Sequence, residues 1–405
     1  MKARYNYRIY PNQGQQTKLA QAFGCGRVVW NDALAIVKAT PEGEKWPSMG
    51  DIKKQVTTQA KKTPERCWLT EVSSVVLQSS VIDLQTAFKN FFDSRSGKRK
   101  GLKMGFPRFK SKHGKQSARF PSNGFSLKNN QLVLAKVGAI KVKWSRSLPD
   151  APSSVTITKN KAGQYHASFV VEVRQIDVEP MRKSIGVDLG IKVFGFPSVG
   201  KPTLSPGYDR LTRKIKRTQR KLARQQKGSN RRKATKQKLA KLHLRIANIR
   251  KDFLHKQSTK LIRENQAVSL EDLHVIGMVK NRCLARAISQ QGWATFRSML
   301  EAKAKQYKDR TVSIISRWEP TSQVCSSCGF KWGKQDLSVR SILCVSCGTR
   351  HDRDQNAAKN IEKVGQELAR TVKTQTLSSC KTPMGAVNDD ASSQPYQGEQ
   401  LCLSL

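Results

Sequence analysis

The stretch SIGVDLGI, residues 184–191, is apolar except for Ser184 and for one carboxylate, Asp188. Together with the following KVFGFP it predicts two short strands joined by a glycine-containing turn. A carboxylate in the middle of a buried strand is costly unless a cation or a hydrogen-bond donor neutralises it. A lone buried aspartate is commonly a salt-bridge or hydrogen-bond partner, so Asp188 alone does not decide between a structural role and a metal site.

Two further acids occupy comparable positions. Glu271 ends the predicted strand AVSLEDL, and Asp354 stands at the predicted start of a helix, where the helix dipole favours an anion. Hydrolysis of phosphodiesters commonly uses two Mg²⁺ ions about 4 Å apart, held by carboxylates. Oxygen ligands favour Mg²⁺ or Mn²⁺ over zinc here. The residues themselves leave Asp272 open as an alternative to Glu271, and Asp352 as an alternative to Asp354.

Two CxxC pairs give the most specific local signal. CSSCG and CVSCG are separated by 15 residues, which is the spacing of a zinc ribbon. Four thiolates close the coordination shell, so the ion would be structural rather than catalytic. A redox dithiol or a chance pairing is the alternative. The predicted ligands of one structural Zn²⁺ are Cys325, Cys328, Cys344 and Cys347.

The net charge indicates a polyanionic partner. The 405 residues include 75 Lys or Arg and 29 Asp or Glu, a formal charge of +46. Such a surface binds nucleic acid through release of condensed counterions. A protein that only coats RNA, or one that lies on an anionic membrane, is the alternative, but no apolar run approaches the roughly 20 residues of a membrane span. The absence of a secretory leader and the odd number of cysteines, nine, predict an intracellular protein.

Residues 208–262 predict a basic helical hairpin. Leucine, isoleucine and phenylalanine recur at alternating steps of three and four from Leu239 to Phe253, and QKGSN at 226–230 breaks the pattern. Unpaired like charges on one helix are destabilising unless a partner neutralises them, so a phosphate-contacting hairpin is favoured over a solvated face. The predicted nucleic-acid contacts are Lys214, Lys216, Arg217, Arg220, Lys221, Arg224, Arg231, Arg232 and Lys233.

These motifs together resemble one known family. IGVDLGIK, LEDL, the two CxxC pairs and HDRDQNAAKNI follow the order seen in TnpB, also called OrfB, an insertion-sequence family related to type V CRISPR effectors. The resemblance includes YPN at 10–12 and GFPRFKSK at 105–112, and it covers roughly residues 1–370. It implies that Asp188, Glu271 and Asp354 are the catalytic acids.

The resemblance also implies a fold: a multidomain α+β and α/β protein with an RNase H-like, RuvC-type nuclease domain and a zinc-ribbon insertion. The expected N-terminal recognition region spans 1–183, with a β-barrel at 1–10 and 119–183 and a helical insertion at 11–118. The nuclease domain is expected at 184–319 and 349–375, the zinc ribbon at 320–348, and a disordered tail at 376–405.

The function implied is RNA-guided cleavage of double-stranded DNA beside a short adjacent motif, with a guide RNA from the transposon end and two Mg²⁺ or Mn²⁺ ions. The expected state is a monomer in the prokaryotic cytoplasm, associated with the nucleoid and not with membranes. Two alternatives remain: an RNA-guided DNA-binding regulator that does not cut, and a structure-selective nuclease that needs no guide.

Overall fold

The computed structural model describes residues 1–41, 43–99, 101–336 and 338–378, with side chains up to residue 371. The chain divides into two compact units, Met1–Val173 and a second that begins at Arg174. This division falls ten residues before the expected boundary at 183. The reason is local: the backbone amide of Ile176 donates to the Gln306 carbonyl at 2.7 Å, which attaches the connecting segment to the second unit. The expected disordered tail lies almost entirely outside the described residues.

The first unit is built on a seven-stranded antiparallel sheet in the order β2-β6-β7-β1-β5-β4-β3. Alternating side chains of β1 are buried, among them Ala3, Tyr7 and Ile9. β2 and β3 lie at the two ends of this order of hydrogen-bonded strands, in the part of the chain that is expected to form the barrel. The strands are β1 (Lys2–Tyr10), β2 (Gln116–Pro121), β3 (Phe125–Lys128), β4 (Gln131–Leu134), β5 (Gly138–Lys143), β6 (Ser154–Lys159) and β7 (Tyr165–Glu172).

The segment between β1 and β2 is mainly helical and packs on this sheet. Asn12 and Gln15 form a capping box at the start of the first long helix, which satisfies amides that have no partner inside the helix. The helices are α1 (Gln13–Ala39), α2 (Met49–Lys53) and α3 (Ser74–Arg95), with short π or 3₁₀ turns at Lys54–Gln59, Ala60–Lys62 and Cys67–Glu71, and a further one at Ser122–Gly124.

The basic segment 105–112 is attached to α1 rather than free. The side-chain amide of Asn31 both donates to and accepts from the backbone of Lys110, at 3.1 and 2.8 Å. Phe106 is partly buried and packs edge-on against the core residue Phe88, with ring centroids 5.3 Å apart. Phe109 remains 52% exposed.

The second unit contains a mixed four-stranded sheet in the order β11-β10-β8-β9 and a separate two-stranded sheet. β8, β10 and β11 are parallel, and β9 is antiparallel to β8. The strands are β8 (Ser184–Asp188), β9 (Phe196–Pro197), β10 (Ala267–Glu271), β11 (Thr311–Ile315), β12 (Ser341–Leu343) and β13 (Arg350–Asp352).

Helices α5, α8 and α9 cover the larger sheet. Phe296 on α8 is buried with Phe194, with ring centroids 5.0 Å apart, in the core that also contains Leu254 of α5. The helices are α4 (Asp209–Ala223), α5 (Asn230–Glu264), α6 (Val275–Met278), α7 (Ala285–Gln291), α8 (Trp293–Ala304) and α9 (Arg353–Ser378). None of the helices that the structure describes combines the length and the apolar character needed to traverse a bilayer.

Candidate functional site

The carboxyl ends of two neighbouring strands bring Asp188 and Glu271 to one edge of the sheet. β8 and β10 pair in parallel with Val187 beside Leu270, and each acid is the last residue of its strand. Parallel strands end at the same edge, which is where open α/β sheets commonly hold ligand-binding residues. The register therefore places the two carboxylates next to each other.

Two glycines let α9 pack directly on this sheet. A methyl group added at Gly186 would overlap the backbone of α9 at Ala358, and one at Gly365 would overlap the hydroxyl of Ser269. A close-packed interior has no room for either group, so a larger residue would displace the helix. Asp354 lies in the first turn of α9. The close contact between helix and strand therefore sets the position of the third acid.

The local electrostatics show that these acids interact. Burial, and after it the negative charges of Glu271 and Asp354, raise the pKa of the Asp188 carboxyl to about 7. Burial also raises the pKa of Glu271. The hydroxyl of Thr321 donates to Glu271 Oε1 at 2.6 Å, and this hydrogen bond lowers the pKa and partly offsets the effect of burial. Carboxylates whose pKa values are raised by burial and by neighbouring charge are common at functional sites.

Asp354 is held by an arginine side chain. Nη1 of Arg340 donates to both of its carboxylate oxygens, at 3.1 and 2.9 Å. Arg340 lies in the loop between the two cysteine pairs, so this loop orients the acid. In the described part of the chain, the three carboxylates do not form a group as compact as that of the cysteines.

The alternative acids have structural partners. Asp272 forms ion pairs with Arg297, at 2.7 Å, and with Arg317. The hydrogen bonds from these two arginines lower the pKa of Asp272. Asp352 accepts the backbone amide of Gln355 at 2.9 Å, as an N-terminal helix cap does. Asp272 and Asp352 are thus engaged in local contacts, as Asp354 is with Arg340.

The cysteine ligand atoms converge on one point. All four sulfurs lie within 4.8 Å of one another, with Cys325–Cys347 at 3.7 Å and Cys328–Cys344 at 3.6 Å. A tetrahedron with Zn–S bonds of about 2.3 Å has sulfur–sulfur edges of about 3.8 Å. The spacing therefore fits one metal ion such as zinc, as the sequence predicts.

Comparisons with known proteins identify the family of this chain. Residues 168–282 match the OrfB family of IS605 elements, described as a probable transposase, and residues 293–361 match a Cas12f1-like TNB domain. The chain is 40% identical, over 370 residues, to a Streptomyces pristinaespiralis protein named as an RNA-guided DNA endonuclease, with 90% of each chain covered. It is 30% identical over 386 residues to the similarly named InsQ of Escherichia coli K12, which covers 90% of this chain and 92% of InsQ. The chain belongs to the TnpB family. The resemblance inferred from the sequence motifs is thereby confirmed.

Two other matches add detail. Residues 1–44 of this TnpB-family chain match a helix-turn-helix domain, but the structure forms β1 and one long helix, α1, over most of that range. Among solved structures, the Cas12f1–sgRNA–target DNA complex matches with a TM-score of 0.48 and 13% identity, covering 86% of this chain and 81% of that chain.

The basic hairpin of this TnpB-family chain consists of α4 and α5, and a cationic cavity of about 760 Å³ lies at its tip. Five of the predicted contact residues line this cavity: Arg217, Arg220, Lys221, Arg224 and Arg231. Lys214, Lys216 and Lys233 are exposed elsewhere on the hairpin.

Arg232 differs from its neighbours. Its guanidinium donates to the carbonyls of Leu222 and Gln225, the second at 2.8 Å, and so holds the turn together. Cations bound to carbonyls at a helix C-terminus are stabilising there. In this structure, Arg232 is engaged within the hairpin rather than presented to a ligand.

Sequence reasoning missed four polar residues around the site. Thr321, His351, Asn356 and Asn360 are all buried and all hydrogen-bonded. The one available signal was the spacing of the two asparagines, four apart in NAAKN, which places them on one face of a helix.

Proposed function

We propose that this protein is an RNA-guided DNA endonuclease that hydrolyses phosphodiester bonds at Asp188, Glu271 and Asp354. The observation that carries the proposal is the register of β8 and β10, which places two predicted acids at one sheet edge, with α9 packed beside them. The mixed sheet covered by α9 supports an RNase H-like domain of RuvC type. The relatives named as RNA-guided DNA endonucleases support guide RNA and double-stranded DNA as partners.

The donor sets fit the expected metal ions. The hard carboxylate oxygens come from Asp188, Glu271 and Asp354. Burial and neighbouring negative charge raise the pKa of Asp188, so added positive charge would be favourable there. Mg²⁺ or Mn²⁺ bound to them would supply Lewis-acid stabilisation of the phosphate oxygens and a more acidic water. The four cysteines would hold one Zn²⁺ as a structural ion.

Each acid has a distinct setting for this chemistry. The pKa of Asp188 is raised to about 7 by burial and by the charges of Glu271 and Asp354. Thr321 orients Glu271 through its hydroxyl, and Arg340 orients Asp354. The exposed cations of the hairpin would bind phosphates of the guide RNA, which adds affinity without sequence selectivity. Base pairing would then supply the sequence selectivity.

The decisive experiment is guided plasmid cleavage. The protein is produced with the transcript of its flanking transposon end, the guide is reprogrammed, and the target carries a randomised adjacent sequence. Wild type should linearise the plasmid only with guide and Mg²⁺, and Asp354→Asn should lose at least about 100-fold in rate. Asp352→Asn is the matched control, because asparagine also caps a helix, and it should cut like wild type.

Other outcomes would select the alternatives. Retained RNA and guided target binding without cutting would identify a DNA-binding regulator. Cleavage of branched DNA by RNA-free protein would identify a structure-selective nuclease.

A further inference from the structure

The segment Thr321–Ser326 connects a catalytic acid to the cysteine site. At one end, the buried hydroxyl of Thr321 donates to Glu271 Oε1 at 2.6 Å. Four residues later in the chain, Cys325 contributes the first sulfur of the cluster, and its side chain is buried. A hydrogen bond to one carboxylate oxygen fixes the rotation of that carboxylate, which a metal ligand requires.

Helix α9 holds this segment through two buried asparagines. Nδ2 of Asn360 donates to the carbonyls of Thr321 and Val324, both at 2.8 Å. Nδ2 of Asn356 donates to the Val324 carbonyl at 2.7 Å, while its Oδ1 accepts the amide of Ser326 at 2.8 Å. Side-chain amides that satisfy backbone groups at both ends leave the segment little freedom.

The same helix also carries Asp354, and its N-terminus is attached to the cysteine cluster. His351, at the middle of β13, is buried, with Nε2 3.1 Å from the sulfur of Cys325. β13 leads directly into α9. The cysteine site is thus joined to α9 both by His351 and by the Thr321–Ser326 segment.

We infer that Thr321 is a positioning residue for Glu271, and that the Thr321–Ser326 segment makes the orientation of Glu271 depend on a metal-loaded cysteine site. The inference rests on the proposed function of Glu271 as a metal ligand. Residues that orient a metal ligand change metal affinity by about 10- to 100-fold when they are removed. The cysteine metal would then serve the carboxylate centre as well as the local fold.

Thr321→Val and Thr321→Ser form the matched pair for the test, since valine keeps the shape without the hydroxyl and serine keeps the hydroxyl. Mn²⁺ binding to each full-length protein is measured by electron paramagnetic resonance, together with zinc content and the Mg²⁺ dependence of guided cleavage. Thr321→Val should retain one zinc, bind Mn²⁺ about 10- to 100-fold more weakly and need correspondingly more Mg²⁺. Thr321→Ser should bind Mn²⁺ like wild type.

Equal Mn²⁺ affinity of all three proteins would overturn the role of Thr321. Equal weakening in both variants would show that the loss does not depend on whether the hydroxyl is kept, and would overturn this role as well. If Thr321→Val lacks zinc or unfolds at a lower temperature than wild type, its Mn²⁺ affinity is compared with that of Thr321→Ser, which keeps the same backbone contacts. If wild type binds Mn²⁺ but never cuts DNA, the proposed function fails while the positioning role is still decided by the Mn²⁺ affinities.

Removal of zinc tests the link to the cysteine site. Chelation should weaken Mn²⁺ binding to wild type and have little further effect on Thr321→Val, because both changes act on the same carboxylate. If the loss of Mn²⁺ affinity caused by chelation adds in full to the loss caused by Thr321→Val, the coupling is overturned.

Discussion

Asp188→Asn should stabilise the protein when zinc is present and Mg²⁺ is not. Burial and the charges of Glu271 and Asp354 raise the pKa of Asp188 from 3.8 to about 7. Each pKa unit corresponds to 1.36 kcal/mol, so the ionised carboxylate costs up to about 4 kcal/mol of folding free energy above pH 7. Asparagine has nearly the same shape and carries no charge, so the variant avoids this cost while losing the carboxylate that the proposed function assigns to metal binding.

The pH dependence gives the sign of the effect. The folded protein keeps the Asp188 proton up to about pH 7, whereas the unfolded chain releases it near pH 4. Wild type therefore loses stability as the pH rises through this window and changes little above it. For a unit of 150–250 residues, about 4 kcal/mol corresponds to at most about 8–16 °C in unfolding temperature. The difference between variant and wild type should be largest at pH 8 and should vanish towards pH 4.

The assay is thermal unfolding between pH 4 and pH 8 in buffer without added divalent cation, repeated with Mg²⁺. Added Mg²⁺ should stabilise wild type and leave Asp188→Asn unchanged. Asp272→Asn is the opposite control, because Arg317 and Arg297 lower the pKa of Asp272, and that variant should lose stability at neutral pH. Parallel pH profiles for wild type and Asp188→Asn would refute the idea that Asp188 is electrostatically strained.

Three further predictions follow from other contacts. Gly186→Ala should push α9 off the sheet and lower the urea midpoint by an amount equivalent to about 1–3 kcal/mol, and an unchanged midpoint would show that the helix yields freely. Burial lowers the pKa of Lys303 to about 8, so wild type should gain about 2 kcal/mol over Lys303→Met in unfolding free energy between pH 7.5 and 9.5. A difference in unfolding free energy between wild type and Lys303→Met that does not change with pH would contradict this prediction. Arg220→Gln and Arg231→Gln at the hairpin cavity should each reduce the salt slope of RNA binding by about 0.7–0.9, while Lys363→Gln on α9 should not change it.

The sequence was sufficient where one local pattern carries the chemistry. Two CxxC pairs at zinc-ribbon spacing predict a metal cluster whatever the surrounding fold, and the four sulfurs do converge. It was also predictable that Asp188 and Glu271 adjoin buried strands, since each follows an apolar run, although the sequence suggested that Asp188 lies within its strand and β8 ends at this residue. The choice between Glu271 and Asp272 was not, because the arginines that pair with Asp272 lie 25 and 45 residues further along the chain.

The remaining parts depend on contacts between distant residues. Thr321 meets Glu271 across 50 residues, and Asn356 meets Val324 across 32. No periodicity marks such pairs, because each uses a polar side chain to satisfy a distant backbone group or carboxylate. Composition also does not reveal the contacts of two residues in basic segments. Phe106 packs against aromatic side chains of the core, and Arg232 holds the hairpin turn.

The proposed function implies that the cysteine site and the carboxylate site have different tasks. The carboxylate centre is unfavourable by itself, because burial brings three acids into mutual repulsion at Asp188. Thiolate coordination of zinc contributes folding free energy that does not depend on these acids. Since Asn356 and Asn360 fasten the cysteine segment to α9, that free energy acts on the same helix that presents Asp354. A metal ion at the cysteines would therefore hold the acids in place before the proposed catalytic ions bind, which is why loss of zinc should weaken Mn²⁺ binding as well as local folding.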